Sequence, residues 1–113
     1  MTDLFGQPEP DPKPTLGQKF WTFHNNNPQI YEELVVMALR LQAAGRTSYG
    51  IGSLFEVIRW HTALATTDEE FKLSNDHRAF YARLIMARVP QLKDFFVIKA
   101  SEADKENYGP IVI

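Results

Sequence analysis

Three histidines, His24, His61 and His77, are the side chains best suited to acid–base or metal chemistry, and their spacing argues against both. No two lie at the i, i+4 interval that places imidazoles on one helical face. None has a carboxylate at a known ligand interval, so no metal site is expected. The absence of cysteine excludes thiolate zinc sites, disulfides and a cysteine nucleophile. Glu70-Phe71-Lys72 matches the acid-x-lysine fragment of many nucleases, but three residues match by chance often, and an exposed acidic turn explains them better. Gly50-Ile51-Gly52 lacks the third glycine and the preceding strand of a dinucleotide fingerprint, and neither a GxSxG elbow nor a P-loop is found. The expectation is a protein that is not an enzyme and needs no cofactor.

Cations are the next candidates. The 113 residues carry 12 basic and 14 acidic groups, a net −2 that hides a marked segregation. Residues 1–17 sum to −2, 18–67 to +1, Asp68-Glu69-Glu70 to −3, 71–100 to +4 and the remaining tail to −2. A basic region between acidic segments can bind an anion, because a polyanion responds to local potential and not to net charge. The alternative is that acidic ends merely solubilise a mildly basic domain. Arg78, Arg83 and Arg88 are five residues apart, and at about 100° per residue each step turns by ~140°, so they cannot share one helical stripe. Arg78 is placed to face outward beside Asn75 and a helix N-terminus, an arrangement that suits phosphate. Arg59, three residues after Glu56, is expected to pair with it. For Arg83 a structural ion pair to Glu56 or to the acidic link is at least as good an explanation as DNA. The candidate nucleic-acid set is therefore Lys72, Asn75, His77, Arg78, Lys93 and Lys99, with Asn75 or His77 near base edges.

These residues must be held by elements that the apolar pattern predicts. Asn27 as N-cap, Pro28 at the first helical position, Glu32 and Glu33 in the first turn and Gly45 as a left-handed stop bound the first helix. Its core stripe is Ile30, Leu34, Met37, Leu41 and Ala44. The second helix begins between Ser48 and Ser53, where Ser53 and Glu56 can form a capping box, and Ile51, Leu54, Phe55, Ile58 and Thr62 share a face. His61, on the Ile58 side, reads as a hydrogen-bonded core histidine. Val57, Trp60 and Leu64 make a second apolar stripe pointing away from the first. Either another element covers that stripe, with Phe20, Trp21 and Phe23 the nearest candidates, or it is a protein-contact surface; coverage is the expectation. The third helix runs from an Asn75 cap to about Val89, stopped by Pro90, with Phe80, Leu84 and Ala87 inward. Phe95-Phe96-Val97-Ile98 reads as a strand, and Phe71-Lys72-Leu73 as its partner.

The ends read as appendages. Pro8, Pro10, Pro12 and Pro14 force an extended arm. Residues 101–109 show no apolar period, and Ile111-Val112-Ile113 either docks on a sheet edge or frays. The division expected is a flexible acidic arm over 1–17, a compact domain over 18–100 and an acidic tail over 101–113, with both arms mobile. With 44% hydrophobic and 12% aromatic residues the middle can bury a core, and no apolar run approaches the roughly 18 residues needed to span a bilayer. The N-terminus lacks the layout of a secretion signal, so a cytoplasmic location is expected. Helix, short link, helix, longer link, helix, strand is the order of a winged-helix or related helix-turn-helix domain. The fold class expected is mainly α: a three-helix, winged-helix-like domain with a small β-hairpin or strand pair and extended termini.

Phe20-Trp21-x-x-His24-x-x-Asn27-Pro28-x-x-Tyr31, Gly45-x-x-x-Tyr49, Ile58-Arg59-Trp60, Phe71-Lys72-Leu73-Ser74-Asn75, Tyr81-Ala82-Arg83 and Pro90 with Phe95-Phe96 form a further pattern. The combination resembles a group of small uncharacterised proteins encoded by bacteriophages and prophages, over residues 20–98. The resemblance implies a bacterial, mobile-element setting and a compact domain, and supplies no catalytic residues. Two function classes follow. One is a DNA-binding protein, such as a phage or prophage regulator, acting through the basic set above. The other is a non-enzymatic, phage-encoded module that engages a host protein through Val57, Trp60 and Leu64. A homodimer is compatible with either.

Overall fold

The computed structural model describes residues 12–65 and 72–109. The proline-rich residues 1–11, the acidic link with Phe71 and the apolar end 111–113 lie outside them. Four α-helices carry the described chain: α1 (Leu16–Asn26), α2 (Pro28–Ala43), α3 (Ile51–Ala65) and α4 (Arg78–Arg88). The last three match the three helices of the sequence pattern. None of the described helices is long and apolar enough to cross a membrane.

The pattern did not show α1. It starts inside the expected arm because Thr15 and Gln18 form a capping box: the Gln18 N–H donates to Thr15 Oγ1 at 3.1 Å and the Thr15 N–H to Gln18 Oε1 at 2.8 Å. Its inward residue, Phe20, is fully buried and meets the Phe80 ring face to face at 5.1 Å and the Tyr81 ring edge-on at 4.8 Å. Asn27 joins α1 to α2, but its side chain donates backward to the Phe23 carbonyl, so α2 starts without a side-chain cap, on Pro28 alone. Glu32 and Glu33 fall past the first turn of α2. At its far end Gly45 adopts φ +99°, and the Arg46 N–H reaches the Leu41 carbonyl and the Gly45 N–H that of Gln42. This is the left-handed stop the sequence predicts.

The buried line of α2 is Ile30, Leu34 and Ala38, one step round from the expected stripe; Met37 and Leu41 are half-buried and Ala44 is exposed. On α3, Ile51, Leu54, Phe55 and Ile58 are buried as expected. Because α3 begins at Ile51, Ser53 already lies inside its first turn and cannot cap it, and Glu56 pairs with Arg59.

Helix α4 is the centre of the domain. Six consecutive residues, Phe80 to Ile85, are buried. Six residues cover every side of a helix, so α4 has neighbours all round: α2, α3, the turn before it, the turn after it and the C-terminal segment. Ser74, not Asn75, caps the approach, accepting from the Asp76 N–H at 3.1 Å, and a single 3-10 turn (Asn75–His77) leads into the helix.

The expected strand pair is replaced by a different contact. Phe96 forms an isolated parallel bridge with Tyr49, whose N–H donates to the Phe95 carbonyl at 3.0 Å and whose carbonyl accepts from Val97 at 3.1 Å. Lys72 and Leu73 join no ladder; the Leu73 carbonyl instead accepts two hydrogen bonds from the Arg59 guanidinium. No sheet occurs among the described residues.

The tail over 101–109 is bound to the domain, where mobility was expected. Ser101 and Asp104 form a second capping box, and Ala103 is buried. Arg83, 8% exposed, donates to Asp104 Oδ1 at 2.6 Å, the Lys99 carbonyl at 2.6 Å and the Ala79 carbonyl at 3.0 Å. The Trp21 indole N–H donates to Glu106 at 2.8 Å, and a Cβ on Gly17 would lie 2.6 Å from the Glu106 carboxyl carbon. Any side chain at position 17 must displace Glu106 from Trp21. Arg88 completes the strap, donating to the Tyr108 carbonyl at 3.2 Å.

Two histidines sit against this aromatic core, His24 stacked on Phe20 and His77 stacked on Phe23 with centroids 4.8 Å apart. Burial lowers the pKa of both; the Arg88 charge adds to the effect on His24, and Asp76 opposes it on His77. A depressed folded-state pKa means that the unfolded chain takes up protons first. Stability is therefore complete above the ordinary value of 6.5 and is lost as pH falls through the folded-state values. Thermal melts between about pH 8 and about pH 5 should show a falling Tm, and a His77→Phe variant a shallower fall. An unchanged slope in that variant would remove His77 from the account.

Candidate functional site

Helices α2 and α3 pack side by side, and their outer surface collects most of the exposed apolar residues among those described. Val57 is 41%, Trp60 62% and Leu64 69% exposed on α3, with Val36 at 48% on α2. The expectation that another element covers the Trp60 stripe is thus overturned. Phe20, Trp21 and Phe23 belong to α1, and they pack with His24, His77 and Tyr81 on the opposite side of the core. Among the described residues the ring neighbour of Trp60 is the adjacent His61, with centroids 5.5 Å apart. His61 itself is exposed at the rim and is no core histidine.

Two shallow depressions run along the seam between the helices. One, of about 320 Å³, is walled by Met37, Arg40, Leu41, Tyr49, Leu54 and Val57. The other, of about 410 Å³, is walled by Glu33, Val36, Met37, Arg40, Ile58 and His61. Met37 and Arg40 belong to both, so the two form one groove beside the α3 stripe. Arg40, Glu32 and Glu33 have no ion-pair partner among the described residues. Along the α2 wall Val36 and Met37 separate the Glu32 and Glu33 carboxylates from the Arg40 cation, and the depression beyond Arg40 is lined by Leu41, Tyr49, Ser53 and Leu54.

The basic candidates scatter. Arg78 is exposed at the first turn of α4 and lies along Gly52 of α3, with its Nε donating to the Asn75 carbonyl at 3.4 Å. Asn75 accepts a hydrogen bond from Arg59, so its amide oxygen is already engaged. His77 is 7% exposed and stacked on Phe23, which withdraws it from the outer surface where a base edge would meet it. Lys72 is exposed before the turn into α4 and Lys93 and Lys99 are exposed on the segment that follows Leu92, and among the described residues no hydrogen bond or shared acceptor joins the three. Of the three arginines spaced by five, Arg83 and Arg88 hold the C-terminal strap, Arg88 also lying 6.0 Å over the Trp21 ring. The Arg83 partner is Asp104, not Glu56. That hydrogen bond first, and the Ser101 N–H second, hold the Asp104 carboxyl below its usual range.

A third cleft, about 560 Å³, lies between α1 and the turn before α4 and is floored by Phe23 and His77. Asp76 is its one lining carboxylate, and the Ser74 hydroxyl oxygen is occupied by the Asp76 N–H. Neither a carboxylate pair nor a base-activated nucleophile is assembled there. No group of three metal-ligating side chains gathers among the described residues.

The groove residues Met37 and Leu41 escaped the sequence reading because their stripe was assigned to the core, and Arg40 because no role was assigned to it. The signal was present in the spacing of Glu33, Val36 and Arg40, which mark the solvent side of α2 at steps of three and four. Comparison with protein-family models, with curated proteins and with solved structures finds no match to this chain.

Proposed function

We propose that the chain is a non-enzymatic protein-docking module whose contact surface is the α3 stripe Val57–Trp60–Leu64 with the adjoining α2–α3 groove. The observation that carries this reading is the exposure of Trp60, at 62%, at the middle of a two-turn apolar stripe. A large aromatic flanked by aliphatic residues is the composition of interface anchors, and soluble domains seldom leave such a patch open without use. The shallow groove beside it adds apolar lining from Met37, Leu41 and Leu54 and two orienting charges, those of Glu33 and Arg40.

The nucleic-acid reading has less support. Arg78, Lys72, Lys93 and Lys99 are exposed, but a winged-helix regulator inserts its third helix into a groove of DNA, and here the equivalent helix, α4, is buried on all sides from Phe80 to Ile85.

Trp60→Ala should change stability by no more than about 0.5 kcal/mol, the range of surface substitutions; a loss near 3 kcal/mol would place Trp60 in the core. For function, a photo-crosslinking residue at position 64 should yield protein adducts in the producing cell, and Trp60→Asp should abolish them while leaving the melt unchanged. Adducts indifferent to Trp60→Asp, or none, reject the docking surface. A shift of mixed-sequence duplex at low salt that weakens in Arg78→Ala and Lys99→Ala would restore the DNA reading in its place.

A further inference from the structure

The docking surface has a property that selects its occupant. Glu33 and Arg40 are seven residues apart on α2, so they lie on one stripe and about 10 Å apart along the axis. Val36 and Met37 lie between them, level with Val57 and Ile58 across the seam. Along this stretch of α2 the stripe therefore reads acid, apolar pair, base. Neither charged group has an ion-pair partner within the described residues.

A face with opposite charges at equal distances from an apolar centre is complementary to itself when rotated by half a turn. We propose, resting on the docking reading above, that a second copy of this chain is the occupant. The two copies run antiparallel about a two-fold axis near Met37 and Val57, so that Arg40 of each lies over the partner's Glu33. Such an interface is isologous: each pairing occurs twice, and one patch supplies both halves. Trp60, next to the axis, is buried against the apolar middle of the other copy, and Leu64 and Val36 close the flanks. The ion pairs contribute chiefly orientation: the parallel arrangement would set Arg40 on Arg40 and Glu33 on Glu33.

Sedimentation of the full chain over about 1–200 µM tests this, a range that brackets micromolar association. The wild type is expected to dimerise and Trp60→Asp to remain a monomer. Arg40→Glu and Glu33→Arg each place like charges opposite one another and should weaken self-association at least tenfold, with unchanged circular dichroism melts at submicromolar chain, where the wild type is dissociated too, because all these positions are exposed. An equimolar mixture of Arg40→Glu and Glu33→Arg chains should dimerise again, since each chain then offers the other opposite charges at both ends. A monomeric wild type, or a mixture that associates no better than its components, overturns the proposal. If a monomeric wild type still gives Trp60-dependent adducts with another protein, only the self-partner falls. If it gives no such adducts, the docking reading falls with it.

Discussion

Phe20→Ala is expected to cost about 4 kcal/mol, within the range for aromatic truncations in a core that cannot collapse around the void. Phe20 has no exposed surface, and its ring meets those of Trp21, His24, His77, Phe80 and Tyr81. It is the fully buried contact of α1 with α4, flanked by Phe23 and His24 against Tyr81. For a domain whose total stability is of the order of 5–10 kcal/mol the loss consumes a large share of it. Chemical denaturation should show a lower midpoint, and near-ultraviolet circular dichroism should report the detached Trp21. A loss below about 1 kcal/mol would show that α1 adds little to the core, and that the expected boundary after residue 17 belongs after residue 26.

The second large effect is expected at Arg83. Arg83→Ala removes three charge-assisted hydrogen bonds, two of them at 2.6 Å, and the packing of the side-chain stem, for a loss of about 2–3 kcal/mol. Its second consequence is local. Without the guanidinium nothing ties Asp104 and the Lys99 carbonyl to α4, so residues 101–109 should open before the rest. Trypsin then has access to Lys105, and cleavage there should accelerate well beyond the change in global unfolding. Arg83→Lys should rescue only part of this, because an ammonium cannot span a carboxylate and two carbonyls with the geometry of a planar fork. Equal resistance of wild type and Arg83→Ala at Lys105 would mean that the strap is held by Trp21, Arg88 and Tyr108 alone.

The helical class, the approximate positions of α2, α3 and α4 and the Gly45 stop were legible in the sequence, since each depends on neighbours three or four residues away, whereas the caps expected at Ser53 and Asn75 were misplaced. Local bonding also explains the Arg59–Glu56 pair. Two capping boxes, Thr15-Leu16-Gly17-Gln18 and Ser101-Glu102-Ala103-Asp104, were equally local and equally present. They were obscured by the prolines and acidic residues around them, whose composition argues for extended and solvated chain. What no local pattern could decide is which apolar stripe faces inward when a helix has two. On α3 both Ile51–Leu54–Phe55–Ile58 and Val57–Trp60–Leu64 have helical spacing, and only the positions of α2 and α4 determine that the first is buried and the second exposed. The same holds for the charges. Arg78, Arg83 and Arg88 look alike along the chain, yet burial and three oxygen acceptors make Arg83 a structural tie, while Arg78 stays in solvent. Helix formation is a matter of short-range hydrogen bonds and periodicity, whereas the face a helix turns outward depends on how much apolar area its distant partners can cover. Here they leave Trp60 uncovered.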